Sequence, residues 1–214
     1  MAAHAADADS VRQALGDPEV VLIGHSFGTQ VALEAYRLRP ARVRALVFVC
    51  GSFGRVTYTF KGTDVLANVL PDMVSFVDRH PRIGRALWSN VPPRVAIRLA
   101  ELTGDIDVSR VKVEDVEPYF QHVTRLDFSM FLRMLRAAGE HSAEDLLPSV
   151  AVPVLVVAAE HDSFTPPDVS RAMAEAIPGA ELALLPGGSH LLPLERHEEL
   201  ATLVRDFLDR RVLG

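Results

Sequence analysis

The sequence predicts an α/β fold in which a parallel sheet of about four strands is flanked by helices. Four short apolar runs predict strands. EVVLIG is a continuous β-branched run typical of a strand buried on both faces, and VRALVFVC, VPVLVVAAE and AELALLP follow it. A helical pattern with short links lies between the first and second runs, and another lies between the third and fourth. This order indicates parallel strands joined by right-handed crossovers. The third observation is that no such run occurs between residues 55 and 147, where short helical patterns are broken by Pro and Gly.

Each helix beside the predicted sheet has its own signal. In ADADSVRQALG, apolar residues fall at helical spacing on Val11, Ala14 and Leu15, and Gly16 is a stop signal. The segment TQVALEAYRLRP predicts a helix that Pro40 ends. The segment PPDVSRAMAEAIPG predicts a helix with proline at its start, where proline is tolerated, and PLERHEELATLVRDFLDRR predicts one last helix.

The composition is that of an ordinary globular chain, with 214 residues of which 49% are apolar and 23% charged. The net charge is −6 and no Lys/Arg block stands out, so we expect no nucleic-acid partner. The single cysteine, Cys50, excludes an intrachain disulfide and ends an apolar run, which predicts a buried thiol. There is no apolar stretch of the roughly 18 residues that span a bilayer and no secretory signal pattern, so we expect a cytoplasmic protein without a membrane partner.

The pentapeptide GHSFG, residues 24–28, fits the pattern G-x-S-x-G between a predicted strand and a predicted helix. A serine at this junction must turn sharply out of the strand so that its hydroxyl stands clear of the sheet. Side chains two residues before and after it would collide in so tight a turn, which explains glycine at both positions. The following helix directs its first amides at the site, which favours negative charge there. The pattern therefore predicts a nucleophile at Ser26, the alternative being an ordinary strand-to-helix turn.

A serine nucleophile needs a general base, and the base needs an orienting carboxylate. Loops at the carboxyl ends of parallel strands meet at one edge of the sheet. His190 follows the fourth apolar run in the loop PGGSH, whose glycine pair lets the chain bend back toward Ser26. Asp162 follows the third run in EHDSFTP, with Glu160 and Asp168 as alternative acids.

These motifs resemble those of the α/β-hydrolase-fold family, in particular its serine hydrolases with a helical cap. The nucleophile elbow GHSFG, the acid loop EHDSFTP and the histidine loop PGGSHLLPLE match the family patterns in order and context, and the resemblance covers essentially the whole chain. It implies a hydrolase core formed by residues 1–54 and 148–214, with a cap insertion at 55–147.

The resemblance also implies roles for individual residues. Ser26 would be the nucleophile, His190 the general base and then acid, and Asp162 the orienting carboxylate. The backbone amide of Phe27 would donate one oxyanion-hole hydrogen bond. The pattern gives no such role to His161 and His197, which we expect at the surface, and we expect His25 to support the elbow. Ser52 and Ser163 lack the strand-to-helix context of an elbow.

The activity implied is hydrolysis of a carboxylic ester or related acyl bond (EC 3.1.1) in a small-molecule substrate, through an acyl-enzyme and without metal or organic cofactor. The aromatic residues of the predicted cap favour an apolar acyl or alcohol group, and they are Phe60, Phe76, Trp88, Phe120, Phe128 and Phe131. Lactonase, aminopeptidase, C–C hydrolase and cofactor-free haloperoxidase are alternative reactions on the same triad. A catalytically impaired binding module is the alternative from another class.

The N-terminal region departs from the family pattern. Family members carry several strands before the elbow, and a His-Gly loop among them completes the oxyanion hole. Here about one helix precedes EVVLIG, and none of the eight histidines is followed by glycine. The elbow strand would then form an apolar edge that is prone to association. We expect the C-terminal part of a longer hydrolase; a shortened domain that forms a homo-oligomer and a non-catalytic module are the alternatives.

Overall fold

A parallel sheet of four strands organises the molecule, as the sequence predicts. The computed structural model describes residues 1–102, 105–107 and 109–214. The strands follow one another in the sheet in chain order, and they are β1 (Val20–His25), β2 (Val43–Val49), β3 (Val154–Ala159) and β4 (Glu181–Leu185). Each corresponds to one of the four apolar runs, so the predicted α/β fold with a partial parallel sheet is confirmed.

Helices surround this sheet and fill the segment between β2 and β3. Those beside the strands are α1 (Ala2–Ala14), α2 (Phe27–Leu38), α9 (Pro167–Ala176), α10 (Leu192–Glu195) and α11 (His197–Leu208). Those between β2 and β3 are α3 (Val56–Thr59), α4 (Val65–Arg79), α5 (Pro81–Ser89), α6 (Pro93–Leu102), α7 (Val113–Arg125) and α8 (Phe128–Glu140). Short 3₁₀ turns and a C-terminal π turn complete the described elements, at Pro40–Arg42, Phe60–Gly62, Glu144–Ser149 and Asp209–Leu213.

The sheet is buried in its middle and partly exposed at its two edge strands, β1 and β4. Every residue of β3 is buried, as is β2 from Ala45 to Val49, because helices cover both faces. On one face Leu33 of α2 and Met173 of α9 pack with Phe48, and on the other Phe207 of α11 packs with buried strand residues. By contrast, β1 pairs with β2 on one side only and leaves Ile23 59% exposed. The apolar edge expected at the elbow strand is therefore present.

The helices between β2 and β3 have a small core of their own. Leu70, Val74 and Val77 of α4 are buried against Leu132 of α8. The Trp88 ring stacks on the rings of Phe128 and Phe131, with centroids 4.5 and 5.1 Å away. These helices occupy the predicted cap range 55–147, of which residues 103, 104 and 108 lie outside the described part of the chain. The division into a core and a cap domain stays a prediction.

Two helices differ from the sequence patterns. In α1 the apolar Val11 is exposed, whereas Asp9 and Arg12 are buried and form an ion pair, since Arg12 Nη2 lies 2.6 Å from Asp9 Oδ1. The apolar spacing therefore predicts the wrong face of α1, because side-chain pairing lets two charged residues enter the interface. The last predicted helix is divided into α10 and α11 at Arg196, whose φ of −139° and ψ of 44° are not helical. No helix in the described ranges is long and apolar enough to cross a membrane.

Candidate active site

Ser26 lies at the junction between β1 and α2. Its backbone N–H donates to the Val49 carbonyl oxygen at 3.0 Å, which continues the β1–β2 pairing up to the turn. Its φ of 53° and ψ of −120° are sterically unfavourable for a residue with a Cβ, and such strain occurs preferentially at functional sites. Phe27 is the first residue of α2, so its amide has no carbonyl four residues earlier in the helix to bond to.

The glycines of GHSFG have different reasons for being there. A Cβ on Gly24 would lie 2.5 Å from the Gly28 carbonyl oxygen, so the turn closes only with glycine at position 24. A Cβ on Gly28 would meet no described heavy atom within 4 Å. The expectation that side chains at both positions collide is therefore confirmed for Gly24 and wrong for Gly28, because the chain has already entered α2 there and the Cβ direction points into open space.

The structure brings Ser26, His190 and Asp162 together. His190 Nε2 lies 2.9 Å from Ser26 Oγ, and His190 Nδ1 lies 3.0 Å from each carboxylate oxygen of Asp162. Since a carboxylate only accepts hydrogen bonds, Nδ1 carries the proton and the neutral ring offers Nε2 as an acceptor for the Ser26 hydroxyl. We refer to these three residues as the Ser–His–Asp array.

Asp162 is held in place by the loop that follows β3. Its side chain is fully buried, and a buried carboxylate requires hydrogen bonds to offset the loss of water. Oδ1 accepts from the backbone N–H of Phe164 and of Thr165, both at 2.9 Å, and Oδ2 accepts from Thr165 Oγ1 at 2.8 Å. With His190 these donors fix the carboxylate plane toward the imidazole.

The two alternative acids lie elsewhere. Glu160 Oε2 accepts a hydrogen bond from the Gly187 amide at 2.8 Å, which ties the loop after β3 to the loop after β4. The Asp168 side chain is 93% exposed, and its nearest ion-pair partner is Arg171 on the same helix. Of the three candidate carboxylates, only Asp162 contacts His190.

A largely apolar cavity of about 420 Å³ opens beside Ser26 and His190. Its lining includes Val123 of α7 and Met134 and Leu135 of α8, so the helices between β2 and β3 form much of its wall. Two of the six cap aromatics, Phe120 and Phe131, line it. The other four do not line the cavity. Trp88 and Phe128 stack on each other, Phe60 packs edge-to-face on Phe164, and Phe76 is exposed.

Comparison with known proteins assigns the family. A family model described as the alpha/beta hydrolase fold matches residues 1–197. The chain belongs to the alpha/beta hydrolase fold family. It is 26% identical over 210 residues to RutD of Klebsiella pneumoniae subsp. pneumoniae, a provisional carbamate hydrolase by name, and the match covers 97% of this chain and 73% of that protein.

Several solved structures share the fold of this protein. Est816, described as an N-acyl homoserine lactone degrading enzyme, gives a TM-score of 0.68 at 24% identity and covers 96% of this chain and 74% of its own. A thermophilic esterase from Thermogutta terrifontis gives a TM-score of 0.70 at 22% identity and covers 96% of this chain and 71% of its own. At these identities the likeness concerns the fold.

Glu195 fixes the loop that carries His190, although the sequence motifs do not single this residue out. Glu195 is buried, and its Oε2 accepts from the Ser189 amide at 2.8 Å while its Oε1 accepts from the Asp107 amide at 3.0 Å. Gly187, with a φ of 65°, lets the preceding turn adopt the left-handed conformation that returns the chain to the sheet edge. The sequence alone does not reveal this role, because Ser189 lies in the same loop as His190 but the other partner, Asp107, is 88 residues away in the chain.

His25 and Phe164 surround the imidazole of His190. The His25 Nε2 donates to the His190 carbonyl oxygen at 2.9 Å, as expected of a residue that supports the elbow. Desolvation of its ring and the neighbouring His190 lower the pKa of His25, which favours the neutral ring. The Phe164 ring stacks on the His190 ring with centroids 4.7 Å apart. The imidazole is therefore confined from two sides.

The remaining sequence candidates have other partners. His161 and His197 are exposed. Ser163 Oγ donates to an Asp105 carboxylate oxygen, and Ser52 Oγ donates to the Gly54 carbonyl oxygen at 2.6 Å although Ser52 also lines the cavity.

Cys50 is buried as predicted, and burial, followed by the charge of Asp162, raises the pKa of its thiol. Within the described residues no group of three or more His, Cys, Asp or Glu side chains could hold a metal ion.

Proposed function

We propose that this protein is a serine hydrolase that cleaves a carboxylic ester or a related acyl bond. The observation that carries the proposal is the continuous hydrogen-bond path from Ser26 Oγ through His190 to Asp162, located at the wall of an apolar cavity. A serine hydroxyl becomes a useful nucleophile when a neutral imidazole accepts its proton and a carboxylate stabilises the resulting imidazolium. The geometry supplies all three groups within hydrogen-bond distance.

The reaction would proceed in two halves. Ser26 Oγ attacks the substrate carbonyl carbon while its proton passes to His190 Nε2, and the amide of Phe27 donates to the developing oxyanion. The tetrahedral intermediate expels the alcohol, which takes the proton from His190, and leaves an acyl group on Ser26. Water then attacks the acyl-enzyme with His190 as base, and collapse of the second intermediate releases the acid and restores the serine.

The substrate class follows from the cavity and from the relatives. An apolar space of about 420 Å³ suits a small or medium apolar acyl or alcohol group. The names of similar proteins refer to a carbamate hydrolase, an esterase and an enzyme that degrades N-acyl homoserine lactones, and all of these substrates contain a carbonyl carbon bearing a leaving group. Fold does not choose among them, so the proposal is limited to the acyl bond.

Hydrolysis of p-nitrophenyl esters of increasing acyl length tests the proposal. Ser26→Ala is expected to lower kcat by at least about 10³-fold, because the nucleophile acts as a unit with its base. Ser52→Ala is the matched control: this serine lines the same cavity, has no imidazole partner and should leave turnover within a few-fold. A fluorophosphonate should label the wild type and Ser52→Ala and leave Ser26→Ala unlabelled.

Two results would contradict the proposal. Ester hydrolysis that survives Ser26→Ala unchanged would remove the serine from the reaction. Folded wild-type protein that neither turns over esters nor reacts with the fluorophosphonate would favour a non-catalytic binding module.

A further inference from the structure

Gln30 is a buried polar residue in the wall of the cavity that contains Ser26. It lies in α2, four residues after Ser26, and is 1% exposed. Its Nε2 donates to the Ala138 carbonyl oxygen of α8 at 3.1 Å. Its Oε1 is also buried and accepts no hydrogen bond from any described residue.

The orientation of this amide is determined by its one partner. The Ala138 carbonyl can only accept, so the nitrogen of Gln30 must face it and the oxygen must face away. A buried carbonyl oxygen without a donor is destabilising, and native proteins rarely leave one without a partner. Gln30 and Ala138 both line the cavity, and a small rotation of the Gln30 amide about its broad terminal torsion would bring Oε1 to the cavity surface, where a bound molecule can supply the donor.

We propose that Gln30 Oε1 accepts a hydrogen bond from the substrate, so that the site selects acyl groups carrying a neutral O–H or N–H. This inference rests on the proposed function and specifies its substrate class. Much of the surrounding wall is apolar, including Val123, Leu135 and Phe131, so most of the acyl group remains hydrocarbon. A site built to pair a substrate donor rejects the analogue without it, because the buried acceptor then stays unpaired.

The position of Gln30 limits where the donor can be on the substrate. Four residues along a helix correspond to about 6 Å of axial rise. Ser26 marks the reacting carbonyl and Gln30 lies one turn further, so the donor belongs on an acyl carbon several bonds away from the carbonyl rather than next to it. Carbons 3, 4 and 5 of a six-carbon acyl group cover this interval.

Matched esters test the inference. We would measure kcat/KM for ethyl hexanoate, for its hydroxy derivatives at carbon 3, 4 or 5, and for the methyl ether of each. The methyl ether retains the oxygen and loses only the donor. Wild-type protein is expected to prefer at least one hydroxy ester over its methyl ether by about tenfold or more, the factor that one paired buried acceptor supplies.

The variant Gln30→Met removes the acceptor and keeps a side chain of similar length. Its ratio of kcat/KM between hydroxy ester and methyl ether should fall to about one. Because the two substrates are compared on the same preparation, this ratio does not depend on how much of the variant is folded. Gln121→Met is the control: it makes the same substitution in α7 at a described glutamine outside the lining of this cavity, and should keep the wild-type ratio.

The outcomes distinguish a failure of the Gln30 inference from a failure of the proposed function. Wild-type protein that hydrolyses ethyl hexanoate without preferring any hydroxy ester would overturn the inference alone, as would a preference that survives Gln30→Met. If wild-type protein hydrolyses none of the esters and Ser26 remains unlabelled by a fluorophosphonate, the proposed function fails and the inference fails with it.

Discussion

The backbone conformation of Ser26 is a strained feature of the candidate site. A φ of 53° with a ψ of −120° places the Cβ in a conformation that L-residues rarely adopt, at a cost of about 1–3 kcal/mol. The fold retains it because the Ser26 amide is bonded to Val49 and α2 begins at the next residue. The strain directs the hydroxyl away from the sheet and toward His190.

Comparing two inactive variants measures this strain. Ser26→Gly and Ser26→Ala both remove the hydroxyl, but only glycine adopts a positive φ freely. We expect Ser26→Gly to be more stable than Ser26→Ala by about 1 kcal/mol, since relief of strain exceeds the extra chain entropy of glycine in the unfolded state. Urea unfolding followed by circular dichroism gives the difference. If Ser26→Ala is equally or more stable, the serine conformation is not strained.

At the scale of the element, the turn from β1 to α2 depends on one glycine more than on the other. Gly24→Ala would bring a methyl group to 2.5 Å from the Gly28 carbonyl oxygen, and the backbone must move to accommodate it. Gly28→Ala meets open space at the second residue of a helix, where alanine is favoured by up to about 1 kcal/mol.

These two variants form a matched pair. Gly24→Ala should destabilise the fold by roughly 2 kcal/mol or more, in the range of overpacked positions, and should reduce fluorophosphonate labelling of Ser26. Gly28→Ala should keep or slightly raise the free energy of unfolding. Thermal and urea unfolding of both proteins provide the measurement, and equal losses in the two variants would mean that the turn needs both glycines.

The elements best predicted from the sequence are those with local signals. The four apolar runs correctly predict β1 to β4, but burial on both faces holds only for the inner strands β2 and β3, because β1 and β4 lie at the edges of the sheet and are partly exposed. The GHSFG junction marks Ser26 because strand, turn and helix follow one another directly. The contact of Asp162 with His190 could be anticipated because both residues follow parallel strands. The buried face of α1 and the roles of Gln30 and Glu195 could not, since each involves at least one partner far away in the sequence. These partners are Arg39 for Asp9, Ala138 for Gln30 and Asp107 for Glu195.

At the scale of the whole molecule, the two edges of the sheet differ from its centre. The strand β1 has one neighbour, and no described strand pairs with its outer side. Its sequence is apolar and contains no proline, Lys, Arg, Asp or Glu, and its one register irregularity lies at the first residues, Val20 and Val21. A row of free backbone donors and acceptors beside exposed Ile23 is a template for pairing with another strand.

We therefore expect this polypeptide to associate with a second copy of itself through β1 as its concentration rises. Ile23→Lys adds a charge to the edge and should lower the weight-average sedimentation coefficient to the monomer value. The free energy of unfolding should change little, because the Ile23 side chain is 59% exposed. Leu87→Lys is the control, since Leu87 is equally exposed in α5 and far from the sheet in sequence. Association that responds to Leu87→Lys and ignores Ile23→Lys would place the contact on the helices between β2 and β3. Sedimentation that stays monomeric for all three proteins would show that the edge needs no partner.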